Sequence, residues 1–274
     1  MGLFSIDEST CTLCGVCAEV CPVGNIIEWS TGSIPVPGKH ARSLCITCGH
    51  CVSACPTGAF QLTAMPPESL EPVEPSAMPS YESLSRLMKS RRSIRCYRPE
   101  MVDSATVDEL IQVSAYVPTG ENSQSVGWLV ASGRDTLGAL SETTIEWMRY
   151  LDRENHPAAA QFGAKHLIAA WDCGTDLILR DAPHVVIAHG AKGNPIDTVN
   201  CTIALTWFEL AAAARRLGAC WAGYLNACAM YWAPMQERLG LPGGRVVCGA
   251  MMFGYPKHDY HRIPLRKKPV VTHL

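Results

Sequence analysis

The chain has 274 residues, 47% of them hydrophobic and 18% charged, with a formal net charge of -2. That balance excludes a general nucleic-acid binder, whose phosphate-tracking surface needs a clear excess of Lys and Arg; the longest apolar stretch, residues 203–214, is broken by Thr206 and Glu209 and is too short for a membrane span. The opening MGLFSIDEST has neither the basic nor the apolar region of a secretory signal, so a cytoplasmic, reducing location is expected, with no membrane and no nucleic acid among the partners.

Two cysteine runs come first, Cys11-x-x-Cys14-x-x-Cys17-x-x-x-Cys21-Pro22 and Cys45-x-x-Cys48-x-x-Cys51-x-x-x-Cys55-Pro56. Three thiolates at this spacing wrap one iron-sulfur cube, and the fourth, turned away by the following Pro, reaches the cube of the other run. The expected ligand sets are Cys11, Cys14, Cys17 and Cys55 on one 4Fe-4S cluster, and Cys45, Cys48, Cys51 and Cys21 on a second. Zinc would use four Cys in two pairs, and disulfides would need an exported chain. A similar short stretch follows each run, residues 23–26 and 57–60, so the runs form an internal repeat. The repeat resembles bacterial two-cluster ferredoxins over residues 1–64, a module too small to bury much core unless clusters staple it. The six other Cys, at 96, 173, 201, 220, 228 and 248, read as small core hydrophobes.

Residues 65–80 are rich in Pro, which removes backbone donors and favours an extended spacer, so the domain boundary is placed there. A helix is predicted from residue 81, with Leu84, Leu87 and Met88 on one side, stopping at Arg91-Arg92-Ser93-Ile94-Arg95. A second starts at Asp103 or Ser104, carries Val107, Leu110, Ile111 and Ser114 on one stripe, and ends before Pro118. Residues 126–131 read as a strand, 137–151 as a helix, and 184–188 as a buried strand between Pro183 and Gly190. The strongest helical signal covers 197–217, with Asp197 as cap, Arg215 and Arg216 at the negative end of the dipole, and Gly218 as terminator. It is apolar nearly all round and must therefore be buried on every side, in a core or against a partner subunit. A short helix at 234–239 and a strand at 246–253 precede a basic, irregular tail.

Arg91, Arg92, Ser93 and Arg95 place three guanidinium groups and a hydroxyl within five residues, an anion clamp suited to a phosphate monoester; a solvated basic helix end would look the same. Arg266-Lys267-Lys268 offers a second basic group. Five signposts then occur in order: Arg91-Arg92-Ser93-Ile94-Arg95-x-Tyr97, Pro118-Thr119-Gly120-Glu121-Asn122-Ser123-Gln124, Leu217-Gly218-Ala219-Cys220-Trp221-Ala222-Gly223, Gly240-Leu241-Pro242 and Phe253-Gly254-Tyr255-Pro256. Together they resemble the FMN-dependent nitroreductase family across residues 80–274. The resemblance implies an α+β fold, with a nitroreductase-like central mixed sheet flanked by helices in residues 81–274, behind the small two-cluster ferredoxin-like module. It also implies that Arg91, Arg92, Ser93 and Arg95 hold the FMN phosphate and ribityl end, helped by Arg266 or Lys267. Pro118, Thr119, Gly120 and Asn122 would meet the flavin ring or ribityl, although Asn122 taken alone would equally serve a turn. Gly223 would lie where backbone approaches the ring edge and a side chain would collide. Ala222 departs from members that carry an acid before this Gly. Members are usually intertwined homodimers with the flavin at the interface, which would account for the apolar helix at 197–217.

Neither G-x-G-x-x-G nor G-x-x-x-x-G-K-[ST] occurs, so no Rossmann or phosphate-loop domain is expected. Relatives take NAD(P)H directly on the flavin, and the fused module opens a second route from an external low-potential electron donor. The expected function is that of an iron-sulfur flavoprotein oxidoreductase. Electrons pass from the clusters to FMN, and a hydride equivalent leaves N5 for a small organic acceptor such as a nitroaromatic, quinone or activated alkene. No catalytic side chain is assigned, because Tyr97, Glu121 and Cys220 read as packing or surface residues. Two alternatives differ in class. One is an electron-transfer protein relaying charge between protein partners beneath a lid of Trp221, Tyr224, Tyr231 and Trp232; the other is an FMN-consuming or dehydrogenating relative.

Overall fold

The computed structural model describes residues 2–274. They divide into a unit that runs to Met78 and includes Glu121–Ser123, and a unit of Pro79–Gly120 with Gln124–Leu274. The first contains β1 (Phe4–Ile6), α1 (Val16–Glu19), β2 (Ile27–Glu28), β3 (Val36–Pro37), α2 (Ala41–Leu44), α3 (His50–Ser53) and β4 (Phe60–Leu62). Its two cysteine runs fold alike because the backbone enters the left-handed region at matching places. Leu13 and Gly15 have φ of 56° and 74°, and Thr47 and Gly49 have φ of 52° and 78°. Each turn leads into a one-turn helix, α1 or α3. β1 and β4 pair antiparallel with Phe4 opposite Leu62, which ties the two ends of the repeat together. Phe4, Ile26, Ile27, Val52, Phe60 and Leu62 make up most of the core, with the rings of Phe4 and Phe60 4.5 Å apart. Residues 66–80 are exposed throughout and carry only two short 3-10 turns, Pro67–Ser69 and Pro75–Ala77.

The second unit comprises α4 (Tyr81–Ser90), α5 (Ser104–Ser114), β5 (Gly127–Ser132), α6 (Arg134–Arg153), α7 (Pro157–Phe162), α8 (Ala164–Asp172), β6 (His184–Ala191), α9 (Pro195–Ala214), β7 (Gly218–Trp221), α10 (Gly223–Tyr231), α11 (Ala233–Leu239) and β8 (Arg245–Gly254). The strands lie in the order β5-β6-β8-β7, each neighbouring pair antiparallel, and the parallel element is the bridge of Ser93 to Ala219. Alternation along β6 and β8 feeds two cores. Val185, Ile187, Ala250 and Met252 face α6, α8 and α10, whereas Val186, Ala188, Met251 and Phe253 face α5 and α9. Such a two-sided sheet explains why β6 reads as a continuous apolar run rather than an alternating one.

Caps set several boundaries. The Ser80 hydroxyl accepts the Ser83 N–H at the start of α4, and the Asp103 carboxylate accepts the Thr106 N–H at the start of α5. α9 departs from its expected ends. Asn194 caps it by accepting the Ile196 N–H, so it begins at Pro195 and stops at Ala214; Gly218 is the first residue of β7 rather than a terminator. Nor is α9 covered on every side within one chain, since Ile196, Val199 and Trp207 are exposed. Among the described residues no helix is long and apolar enough to cross a membrane.

Candidate functional site

In the first unit the eight run cysteines ring two cavities. One is lined by Cys11, Cys14, Cys17 and Cys55, the other by Cys45, Cys48, Cys51 and Cys21. In both cases the fourth cysteine has crossed from its own run to the other. Among the described residues no three His, Cys, Asp or Glu side chains converge as a single metal ion would require; the sulfurs border hollows with otherwise mostly apolar walls, such as Ile26, Ile27, Phe60 and Leu62 on one and Ile6, Val16 and Phe60 on the other. Backbone N–H groups turn toward several sulfurs. The Val16 N–H, followed by the Thr12 hydroxyl, holds the Cys14 thiol below its ordinary pKa. At Cys55 burial pushes upward, but the N–H groups of Phe60 and Thr57, the Thr57 hydroxyl and the Ala59 N–H together outweigh it and the thiol stays low. Burial raises Cys17, and raises Cys51 to about 11. A thiolate ring in an apolar wall with amide donors around it fits a sulfur-rich cluster.

In the second unit Arg91 and Arg92 line a cavity of about 350 Å³ together with Ser90, Glu209, Arg216, His258 and Tyr260. Arg91 Nη1 donates to Glu209 Oε1 at 2.7 Å, and this carboxyl sits above its usual pKa because burial outweighs the Arg91 charge beside it. The Arg92 guanidinium donates to the carbonyls of Arg91 and Lys89, at 2.6 and 2.8 Å, closing the end of α4. Ser93 and Arg95 lie just beyond, on the segment bridged to β7, where Arg95 Nη1 reaches the Ser93 carbonyl at 3.4 Å. Arg266 and Lys267 are exposed and do not line this cavity; Arg216 does. Of the four expected clamp residues the cavity gathers Arg91 and Arg92 but not Ser93 or Arg95, and it joins them with an arginine that the sequence assigned to a helix end and a carboxylate that it treated as a break in an apolar run. The guanidinium set suits a phosphate monoester.

Pro118, Thr119 and Gly120 sit on a loop pinned to α9. The Gly120 N–H donates to Asn200 Oδ1 at 3.1 Å, and Thr119 Oγ1 accepts the Gln124 N–H at 3.1 Å. Farther along, the Ser125 hydroxyl donates to Asp197, which also accepts the Ala191 N–H at 2.7 Å. These donors, Ser125 foremost, hold the buried Asp197 carboxyl below its ordinary pKa. Asp197, expected to cap α9, instead ties this loop to the end of β6. Asn122 directs its amide nitrogen at the carbonyls of Ile46 and Thr47, 3.0 Å from each.

Gly223 opens α10, anchored by the Ala222 N–H on the Ala250 carbonyl at 2.8 Å. A Cβ built on Gly223 meets nothing within 4 Å, so protein packing does not demand glycine there. Tyr97 is buried with its hydroxyl on the Ile94 carbonyl at 2.6 Å, a packing residue. The four aromatics considered as a lid do not gather as one: Trp232 packs on Tyr150 at 4.7 Å, Tyr224 on Phe162 at 6.4 Å, and Trp221 and Tyr231 are exposed. Of the six remaining cysteines, Cys201, Cys220 and Cys228 are buried and Cys248 is half-buried; Cys96 and Cys173 are exposed, contrary to the core reading.

A model described as the nitroreductase family matches residues 88–255, and one described as a 4Fe-4S dicluster domain matches residues 10–60. Among solved structures the chain is similar in fold to a nitroreductase with bound FMN from Bacteroides fragilis, at 20% identity and a TM-score of 0.59, over 70% of this chain and 98% of that one. It is likewise similar to an FMN-bound nitroreductase from Desulfitobacterium hafniense, at 16% identity and a TM-score of 0.56, over 70% of this chain and 97% of that one. A variant of an FMN and NADPH-dependent nitroreductase from a Sphigopyxis strain shares 18% identity with a TM-score of 0.52, over 68% of this chain and 95% of that one. No curated protein matches the chain.

Proposed function

The chain belongs to the nitroreductase family, with a 4Fe-4S dicluster domain ahead of the family's own, and from that premise we propose that two 4Fe-4S clusters supply electrons to FMN for the reduction of a small organic acceptor. The chain is an iron-sulfur flavoprotein oxidoreductase of FMN-dependent, nitroreductase-like type; the cluster count, the acceptor class and the residues that bind are the proposed part. The observation that carries the reading is the ring of four cysteines around each of two cavities, three from one C-x2-C-x2-C-x3-C-P run and the fourth from the other, because that division serves paired cubes, whereas zinc sites draw their cysteines in pairs.

When bound, FMN supplies hydride and electron transfer at N5, and the clusters supply single electrons. The chain's own work is binding and orientation. Arg91, Arg92, Ser93 and Arg95 are proposed to hold the phosphate and ribityl end, with Arg216 added from the cavity and Arg266 or Lys267 from the tail. Pro118, Thr119 and Gly120 are proposed to face the ring or ribityl, on a loop whose position Asn200 and Asp197 maintain; the side chain of Asn122, proposed with them, has only its carbonyl oxygen left to offer, since its amide hydrogens are spent on Ile46 and Thr47. Gly223 is proposed at the ring edge. Open space around its missing Cβ supports that role, since only a bound group would make a side chain there costly. Uncovered Ile196, Val199 and Trp207 on α9 support a homodimer, with FMN placed at the interface by resemblance. The donor is proposed to be an external low-potential carrier or NAD(P)H; the Sphigopyxis protein's description as NADPH-dependent supports the latter.

The test is to reduce the protein chemically without oxygen, then add nitroaromatics, quinones and activated alkenes one at a time. Flavin reoxidation should accelerate with the concentration of at least one class. A rate independent of all three would remove the enzyme reading and favour a relay between protein partners.

A further inference from the structure

The peptide between Ile46 and Thr47 lies inside the second cysteine run and is held at both ends. Its N–H, on Thr47, donates to Cys45 Sγ at 3.4 Å, and its carbonyl, on Ile46, accepts from Asn122 Nδ2 at 3.0 Å. The same amide nitrogen reaches the Thr47 carbonyl, also at 3.0 Å, so both of its hydrogens are used. Two carbonyl acceptors demand a donor, which fixes the side chain with nitrogen rather than oxygen toward them. Thr47 has φ 52°, and Asn122, which groups with this unit, has φ 52° beside Glu121 at 53°. Left-handed backbone at non-glycine residues persists only where the surroundings over-determine it. Thr47 shares its left-handed turn with Leu13 at the matching place of the first run, so the repeat sets the turn and Asn122 adds an anchor to it.

A peptide is planar, so a partner that fixes its carbonyl also aims its N–H, and hydrogen bonds at the two ends polarise one another. A donor to a cysteine sulfur favours the more negative, reduced state of a cluster and raises its potential. We infer that Asn122 is a positioning residue: by orienting the Ile46–Thr47 peptide toward Cys45, it sets the reduction potential of the cluster held by Cys45, Cys48, Cys51 and Cys21. The inference rests on the two-cluster reading above and adds a residue outside both cysteine runs that tunes one cluster selectively.

The repeat supplies an internal control, because the cluster on Cys11, Cys14, Cys17 and Cys55 should not respond. The experiment is an anaerobic redox titration of the full holoprotein followed by electron paramagnetic resonance, comparing wild type with Asn122→Ala. Cys45→Ser, which alters a ligand of the same cluster, marks whose signal is whose. At wild-type iron content, one midpoint should move to lower potential and the other stay in place. Unchanged midpoints, or equal shifts in both, overturn the inference. Should Asn122→Ala lose iron, Asn122→Gln, which retains a donor displaced by one methylene, must show a smaller downward shift of the same single midpoint; no shift overturns the inference there too. Wild-type protein without any iron-sulfur signal would instead count against the two-cluster reading itself.

Discussion

The two units are held together by different means. The second buries Phe208, Leu205, Val186, Met251 and Phe253 on one face of its sheet, and Val185, Ile187, Met148 and Leu225 on the other, each at 0% exposure. The first has a modest apolar cluster, short strands and one-turn helices, with two cysteine-lined hollows set into its interior. A unit of this size with so modest an apolar core has little to set against its conformational entropy. The contrast leads to the expectation that the first unit depends on iron-sulfur binding to fold, whereas the second folds on its own core and takes up FMN only to work.

The most severe way to break that contrast is to remove iron. Chelation under anaerobic conditions, or Cys48→Ser, is expected to unfold the first unit, with proteolysis confined to residues before about 80, while the second keeps its thermal transition and its FMN. If both transitions vanished together, the contrast would be wrong. Truncating the opposite core comes next. Phe208→Ala, beside Phe253 at 5.1 Å, should cost the second unit about 3–5 kcal/mol in chemical denaturation and leave the iron-sulfur absorbance alone. Arg91→Ala should weaken FMN binding by about 10–100-fold, the loss of a charge-assisted bond to phosphate of about 1.5–3 kcal/mol, with Arg91→Lys an incomplete substitute. Flavin retained through gel filtration measures it, and iron content should not change.

A smaller effect is expected from pH. His184 is buried, its Nε2 accepting the Val102 N–H at 2.9 Å, and burial holds its pKa below 6.5. Below pH 6.5 the unfolded chain protonates this ring before the folded one does, so stability is complete above that pH and is lost as pH falls through the lowered folded value. His189, also lowered by burial, adds to the same slope. Glu209, raised from 4.5, acts oppositely: its contribution is present below 4.5 and lost as pH rises. Denaturation midpoints of the second unit should therefore drop between pH 7 and pH 5.5, and His184→Gln should flatten the drop. The least structural effect belongs to Gly223→Ala, which should leave stability within about 0.5 kcal/mol yet weaken FMN binding severalfold, because open space in the protein becomes a collision only with a bound ring.

Local chemistry was readable in the chain wherever it acts over a few residues. Cysteine spacing announced both rings, the stripe of Leu84, Leu87 and Met88 announced α4, Asp103 announced α5, and the β-branched run at 184–188 announced the central strand. The elements left unread depend on junctions. α7 and α8 share Gly163, left-handed at φ 67°, as the end of one and the start of the other, so no single periodic window spans them. Apolarity all round α9 indicated a need for cover without saying which side the chain itself supplies. In the clamp, Arg215 and Arg216 are neighbours with the same charge, yet Arg215 pairs with Glu109 on the surface, whereas Arg216, at φ 60°, lines the cavity. The turn from α9 into β7 decides between them. Asn122 likewise carried a local turn signal, while its amide partners, Ile46 and Thr47, lie more than seventy positions away.

Because Cys21 and Cys55 each border the hollow of the opposite run, neither half of the repeat owns a full set of ligands. A cut between residues 22 and 44 would part each ring from one of its sulfurs, and a premature stop there would leave the first ring one sulfur short and the second three short. A nascent chain must therefore reach Cys51 before the ring that takes Cys21 has all its sulfurs, and Cys55 before the other does, so the first run alone can complete neither.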